Sequence, residues 1–425
     1  MSYEAIIARI NTREFPNADR LLLGTCLGNQ VVVGKDTQDG EIGAFFPADG
    51  QLSETFCKEH DLIGYTDPAT GEKRGGFFAR NRRVRAQRFR GEKSDGFWVP
   101  LSYFDYTGIK RETLVEGYMF TELCGHPICN KFETQATKAA KGQQAKAKKK
   151  NVMFAEHVET EQLTYFADQI PAGSLITITR KLHGTSHRAG NVLDDLPLPV
   201  WKHYLNRILH RDVFAAKSIW REIHGTRRVV LGETLVDSYY NEAFRGKATA
   251  KLQGQLRKGE VVYLEIVGWV NESTPIMATQ DVTKLKDKAV EKQYGKTMTY
   301  KYGCQPGEQA IYVYRITQVN EDGKAIELSW NQVVARCKEL GVNTVPFITQ
   351  FIYAEPDAEG LLSMAEAYAT GPAALDPSHI EEGVVLRVDQ PDGQTNWYKY
   401  KSFLFKVLEG IVKDDETVID IEEAS

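Results

Sequence analysis

Apolar residues in the first third of the chain come in short runs bounded by turn-forming residues. Leu21-Leu22-Leu23-Gly24, Val31-Val32-Val33-Gly34 and Ile42-Gly43-Ala44-Phe45-Phe46 are separated by Asn, Asp and Gly. Their spacing of roughly ten residues predicts short strands in a small barrel or sandwich. Further along, Ser174–Thr179 alternates as a strand and runs into Lys181, and residues 261–267, 310–316 and 383–388 read as strands. Between them Trp201, Tyr204, Leu205, Ile208 and Leu209 form the 3.6-residue stripe of a helix packed by one face. Residues 361–368 form a second helical stretch. Strands and helices mix without a βαβ rhythm and without internal repeats, which predicts an α+β fold built on antiparallel sheets.

One segment breaks the pattern. KFETQATKAAKGQQAKAKKKN, residues 131–151, carries seven lysines and almost no large apolar side chain. It cannot bury enough surface to offset its ordering entropy, so it reads as a flexible linker or an exposed helix. Its lysines are either solvated surface or an attraction for phosphate backbones. The expected organisation is therefore a module over 1–130, a linker over 131–154 and a larger domain over 155–425.

Composition narrows the classes. Over 425 residues, 53 basic and 57 acidic side chains leave a net charge of −4, and 42% of residues are apolar. That excludes a disordered chain, a collagen-like chain and a globally basic nucleic-acid coat. Six cysteines are too few for a disulfide scaffold. The start has no apolar leader, and no stretch is long enough to span a bilayer. The expectation is a soluble cytoplasmic protein, or one of the host cytoplasm if viral, with no membrane and no obligate protein partner implied. Cys124, His126 and Cys129 have a spacing that could suit zinc, but no second ligand pair follows, and reduced thiols are the simpler reading.

Charge is nonetheless local. Between Arg74 and Arg90, arginines interleave with Phe77, Phe78 and Phe89, with Trp98 following. As a strand, residues 82–87 would put Arg82 on one face and Arg83 and Arg85 on the other. Arg82, Arg83, Arg85, Arg88 and Arg90 are candidates for binding RNA by charge and stacking. The alternative is an edge strand protected by charge.

The sharpest chemical signal is Lys181-Leu182-His183-Gly184-Thr185-Ser186, directly after a strand. An amine at a strand end, partly desolvated and near other cations, has a lowered pKa and becomes a nucleophile. Gly184 lets the backbone approach a ligand closely. Later strands bring Glu265 inside an apolar run, where a charge needs a partner or ligand. Tyr312 and Tyr314 are suited to stacking on a base, and Glu382 stands at the mouth of another strand. Lys399 and Lys401, at i and i+2, share one face.

This ordered set resembles the motifs of the covalent nucleotidyltransferase superfamily, which includes polynucleotide ligases and RNA capping enzymes. KLHGTS with a terminal EGVV and K-x-K is similar to the ATP-dependent RNA ligases, over roughly residues 155–405. Pro16–Leu21 and Arg90–Gly96 look like turns of OB modules in tRNA-binding proteins, here on the N-terminal side of the core. The resemblance implies an α+β chain with an N-terminal OB-like β-barrel, then a nucleotidyltransferase domain of antiparallel sheets flanked by helices. It implies ATP and Mg²⁺ (or Mn²⁺) as cofactors and RNA ends as substrate.

By the same resemblance, Lys181 is the nucleophile, with Lys399 and Lys401 neutralising the phosphate. His183, Gly184, Arg188, Glu265, Tyr314 and Glu382 complete the nucleotide site, together with Arg227 or Arg228. Glu265 bonds the ribose and Tyr314 stacks on adenine, while Glu382 and Glu265 are the metal carboxylates. A DNA nick ligase, a capping-type guanylyltransferase and a non-catalytic RNA-binding relative are the alternatives. His183 stands where many relatives have Asp.

Overall fold

A computed structural model of the chain describes residues 3–16, 18–66, 70–144, 151, 153–195, 198–211, 213–214, 217–231, 235 and 242–415. It is a mixed fold of antiparallel sheets and helices, as the strand pattern predicts. Lys146, Lys148, Lys149 and Lys150 of the linker lie outside the described residues. Residues Gln135–Gln144 just before them form a helix. Among the described residues, no helix is long and apolar enough to cross a membrane.

Two sheets build the larger part. The first runs in the order Glu161–Gln162, Thr395–Lys401, Gly383–Asp389, Ser174–Lys181, Phe347–Tyr353. Its strands alternate strictly. Ile176, Ile178, Val384, Leu386 and Val388 are buried against Leu361, Ala365 and Ala369 of the helix Ala358–Ala369. Thr177, Thr179, Lys181, Val385 and Arg387 point the other way, into a cleft. Because the side-chain period is two, a one-residue slip would turn Lys181 into the apolar layer, so burial of one face fixes the register.

The second sheet has the order Ser218–Gly225, Thr185–Asp195, Glu260–Gly268, Gln309–Val319, Ala325–Glu327, with Asn343–Thr344 pairing on Gln309–Val319. Val262, Leu264, Ile266 and Val313 share a core with Val333, Cys337 and Leu340 of the helix Trp330–Leu340. A reciprocal capping box between Ser329 and Gln332 starts that helix, and Gly341, at φ 65°, ends it. The turn Leu182–Gly184 joins the two sheets, and the cleft opens between them.

The N-terminal part pairs Met119–Phe120, Ala5–Arg9, Ile42–Pro47, Glu92–Pro100 and Ala86–Phe89 in one sheet. Asn11–Glu14, Leu21–Cys26 and Asn29–Gly34 form a second. Ile10, Val31, Phe45 and Trp98 are buried between them. Among the described residues the pairing does not close into a barrel. Tyr165 of the larger part is packed into this same core. The last described helix, Phe403–Val412, is capped by the Ser402 hydroxyl and lies along the junction.

Two expectations fail. Among the described residues the apolar stripe of helix Val200–Leu209 is not buried in a core: Trp201, Tyr204, Leu205, Ile208 and Leu209 are exposed, and the Trp201 ring meets that of Phe214. Periodicity identifies a face but not whether anything covers it. Residues 82–85 are not a strand; Arg82 has φ 55°, and the strand begins only at Ala86. The paired positive φ of Arg90 and Gly91 then forms the tight turn to Glu92–Pro100.

Candidate nucleotide and phosphate site

The cleft floor is a grid fixed by strand register. Lys181 pairs with Gly383, which pairs with Lys401. The next row is Thr179, Val385 and Lys399, and the one beyond it Thr177, Arg387 and Trp397. Rows lie roughly 7 Å apart along the strands. Gly383 has a structural cause: a Cβ there would lie 2.1 Å from the Tyr400 carbonyl oxygen. The missing side chain lets the Tyr400–Lys401 backbone close onto this strand, which sets the two lysines on either side of Gly383.

Glu382, one residue earlier, is fully buried. Lys181 Nζ lies 2.7 Å from its Oε1, Lys401 Nζ 3.4 Å from the same oxygen, and His183 Nδ1 3.9 Å from Oε2. These are ion-pair contacts, and they are what neutralises the buried carboxylate. A buried carboxylate between two ammonium groups is a site where phosphate can replace it as counter-charge. Glu381, adjacent in sequence, does different work. It accepts from the Ala374 N–H and pairs with Arg180, and burial raises its pKa.

The facing wall comes from the second sheet. Gly184 lies so close to the Glu265 strand that a Cβ would sit 2.4 Å from the Ile266 carbonyl oxygen and 3.1 Å from Glu265 Cγ. Thus the turn after Lys181 docks on the carboxylate's own strand. Ser186 donates to Glu265 Oε2 at 3.3 Å. We expect Gly184→Ala to destabilise the protein by about 1–3 kcal/mol in urea melts, because the added methyl must displace backbone.

Tyr314 stands where the register shifts between Tyr263 and Leu264, and a bulge of this kind re-aims a side chain. Tyr314 lines the cleft, whereas Tyr312 packs into the core.

Lys181, Glu265, Tyr314, Lys399 and Lys401 thus line one cleft of about 1030 Å³ including its open mouth, with Glu382 buried behind the lysines. Arg227 lines it as well, while Arg228 pairs with Glu159. Arg188 is not a lining residue: it is buried, donates to the Phe154 carbonyl and stacks on that ring. Sequence reading missed His157, Trp330 and Trp397, which line the far end; no motif marks them.

His157 is held well below its ordinary pKa by burial, then by Arg315 and Arg227. Burial also lowers His187, whose Nε2 lies 3.1 Å from His224 Nδ1, and lowers His379. A depressed imidazole binds its proton more readily in the unfolded chain, so stability falls as pH drops below about 6.5. We expect the melting temperature to hold above that value and to decline steadily from pH 6.5 to 5.

The site does not end at Lys401. Its amine also pairs with Glu409 at 3.2 Å, Glu409 with Lys413 at 3.2 Å, and Lys413 with Asp49 at 2.6 Å. Asp49 meets Arg83 at 3.0 Å, and Asp414 joins Arg83 at 3.6 Å to Arg85 at 2.8 Å. Alternating charges therefore run unbroken from Lys181 into the N-terminal part. Arg83 is buried in this chain, Arg82 donates to the Leu52 carbonyl, and Arg88 lies over the Phe403 ring. Arg90 is exposed at its turn.

The described residues contain no group of three or more His, Cys, Asp or Glu that could hold a metal alone. Cys124 is exposed and Cys129 buried, both as free thiols.

The RNA ligase family profile matches residues 175–401, over half of the chain. The chain belongs to the RNA ligase family. Among solved structures it is similar to Naegleria gruberi RNA ligase. A mutant apo form has 18% identity and a TM-score of 0.58, covering 96% of this chain and 99% of that one. A mutant with ATP and Mn has 17% identity and a TM-score of 0.58, covering 96% and 98%. The enzyme with PPi has 17% identity and a TM-score of 0.58, covering 97% and 99%. At such identity the likeness shows the fold. No curated protein matches the sequence.

Proposed function

We propose that this RNA ligase is ATP-dependent and joins RNA 3′-hydroxyl and 5′-phosphate ends through an AMP carried on Lys181. The observation that carries the reading is the row Lys181–Gly383–Lys401 with Glu382 buried between its amines. In the first step the Lys181 amine, having lost its proton, forms an N–P bond to the α-phosphorus. The bond from that phosphorus to the bridging oxygen breaks, and pyrophosphate leaves. AMP then passes to an RNA 5′-phosphate, and the 3′-hydroxyl displaces it.

The chain's own residues account for what these steps require. Lys399 and Lys401 neutralise the phosphate oxygens so that an amine can approach. Glu265, held by Ser186, accepts from the ribose hydroxyls. Tyr314 offers a face to adenine. The donor set fits a divalent ion that keeps its water: Glu382 and Glu265 are isolated carboxylates that would hold Mg²⁺ or Mn²⁺, with no protein-only cage among the described residues. Such an ion would supply charge neutralisation at the phosphate. Naegleria gruberi RNA ligase has been solved with ATP and Mn, which supports the choice of nucleotide and metal. Residues 1–130 act as an OB-like RNA-binding module, joined by residues 131–154 to the catalytic domain 155–425.

The test is covalent labelling. ATP carrying label on the α-phosphate, with Mg²⁺, should tag the protein in an acid-labile, base-stable bond. GTP should not, and a 5′-phosphorylated RNA should discharge the label and be sealed. Labelling by GTP alone, or none at all, overturns the reading.

A further inference from the structure

A second cavity, of about 1120 Å³ including its open mouth, lies between the N-terminal part and the catalytic domain. Among the described residues its lining holds eight basic and four acidic side chains, the reverse of the whole chain's acidic balance. Arg85 contributes from the N-terminal part, Lys406 from the closing helix and Lys413 from the residue that caps its C-terminus. Arg227, Lys399 and Lys401 line this cavity and the nucleotide cleft alike, so the two spaces meet at the phosphate-neutralising lysines.

A surplus of cations alone would be ordinary surface, but among the described residues two buried donor atoms here lack partners. Tyr165 is 7% exposed, lines the cavity, and its hydroxyl has no hydrogen bond. The Arg83 Nε–H, also buried on the same wall, has none. Leaving such donors unsatisfied is costly, and a ligand rich in acceptor oxygens would satisfy them. Two of these acids, Asp49 and Glu409, already spread the cations' charge along the ion-pair chain, so an arriving anion competes with carboxylates rather than with bulk water alone.

We propose that this interdomain cavity is the docking site for the phosphorylated 5′ end of the donor RNA, with Tyr165, Arg83 and Arg85 holding its terminal nucleotide. The proposal rests on the RNA ligase reading above and adds to it where the second substrate sits. It follows from the chemistry of transfer. The RNA phosphate must reach the α-phosphorus on Lys181 from a side the nucleotide does not fill, and the cavity opens on that phosphorus through Lys399 and Lys401. It also gives the N-terminal part a role in the transfer step, because Arg85 belongs to it. The same dianionic phosphate chemistry could come from departing pyrophosphate, and the test separates the two.

The protein is first loaded with labelled AMP, freed of ATP, and rates are normalised to the adenylylated fraction. Arg85→Glu and, keeping the ring, Tyr165→Phe are then compared with the unaltered chain in single-turnover transfer to 5′-phosphorylated RNA. Binding of 5′-phosphorylated and 5′-hydroxyl RNA is measured in parallel. We expect the RNA concentration for half-maximal transfer to rise about tenfold in Arg85→Glu and about threefold in Tyr165→Phe. The preference for the phosphorylated end should shrink in both. Unchanged half-saturation and preference would overturn the proposal. A selective loss of pyrophosphate-driven AMP release, with RNA transfer intact, would also overturn it by assigning the cavity to pyrophosphate. Failure of the unaltered chain to take up AMP would strike the functional reading instead.

Discussion

Lys181→Met is expected to abolish covalent labelling by ATP, with a fall of at least about a thousand-fold in the single-turnover rate. The effect should be chemical rather than structural. Lys181 is the last residue of a strand whose register is fixed by Ile176 and Ile178 on the opposite face, so the backbone does not depend on the amine. Methionine keeps the apolar stem and removes the nucleophile. Removing one of two ammonium groups around a buried carboxylate costs something, but Lys401 remains 3.4 Å from Glu382. The melting temperature should therefore stay within a few degrees while labelling disappears. Sealing of chemically pre-adenylylated RNA, which bypasses the first step, should survive in the variant. Retained labelling would place the nucleophile elsewhere, and a collapsed melt would leave Lys181 as a structural residue.

The parts of the site that could be read in the sequence are those that sit inside strong local patterns. Lys181 ends an alternating strand, Glu265 interrupts an apolar one, and Lys399 and Lys401 share a face by the two-residue period; each is visible within a few residues. What joins them is not local. The row Lys181–Gly383–Lys401 depends on pairing between strands more than two hundred residues apart, in the same ladder where Thr179 meets Val385 across 206 residues. Nothing in the spacing of the motifs encodes which residues will stand opposite. Tyr312 and Tyr314 look equivalent until a register shift separates them. Arg82 and Arg83 fit an alternating strand on paper, but a left-handed residue at Arg82 breaks it, and Arg83 is buried as an interdomain tie. The exposed stripe of Val200–Leu209 fails for the complementary reason: amphipathic periodicity is a property of the helix, while burial is a property of its neighbours. The ion-pair chain through Glu409, Lys413 and Asp49 was invisible because it links the two parts of the chain end to end.

Glu382→Ala carries the second largest expected effect, and it separates holding from chemistry. The carboxylate is fully buried, and its removal leaves Lys181 and Lys401 facing one another across Gly383 with the neutralising charge gone. Breaking a buried charged set by deleting one member costs about 3–5 kcal/mol, which denaturant melts at pH 7 should register. Two adjacent cations also favour the deprotonated amine, so the loss of stability should lessen as pH rises toward the lysine range. If Glu382 served only to balance charge, that same shift would leave more free amine and the adenylylation rate at alkaline pH would recover. If it also helps hold the divalent ion, the rate stays down by about a hundred-fold or more at every pH, and the Mg²⁺ concentration for half-maximal labelling rises. Glu382→Gln, which keeps the shape but not the charge, should behave like Ala in the metal titration and lie between Ala and the unaltered chain in stability. The proposed role predicts the persistent loss. Recovery with pH in both variants, with unchanged metal dependence, would confine Glu382 to charge balance and remove it from the metal site.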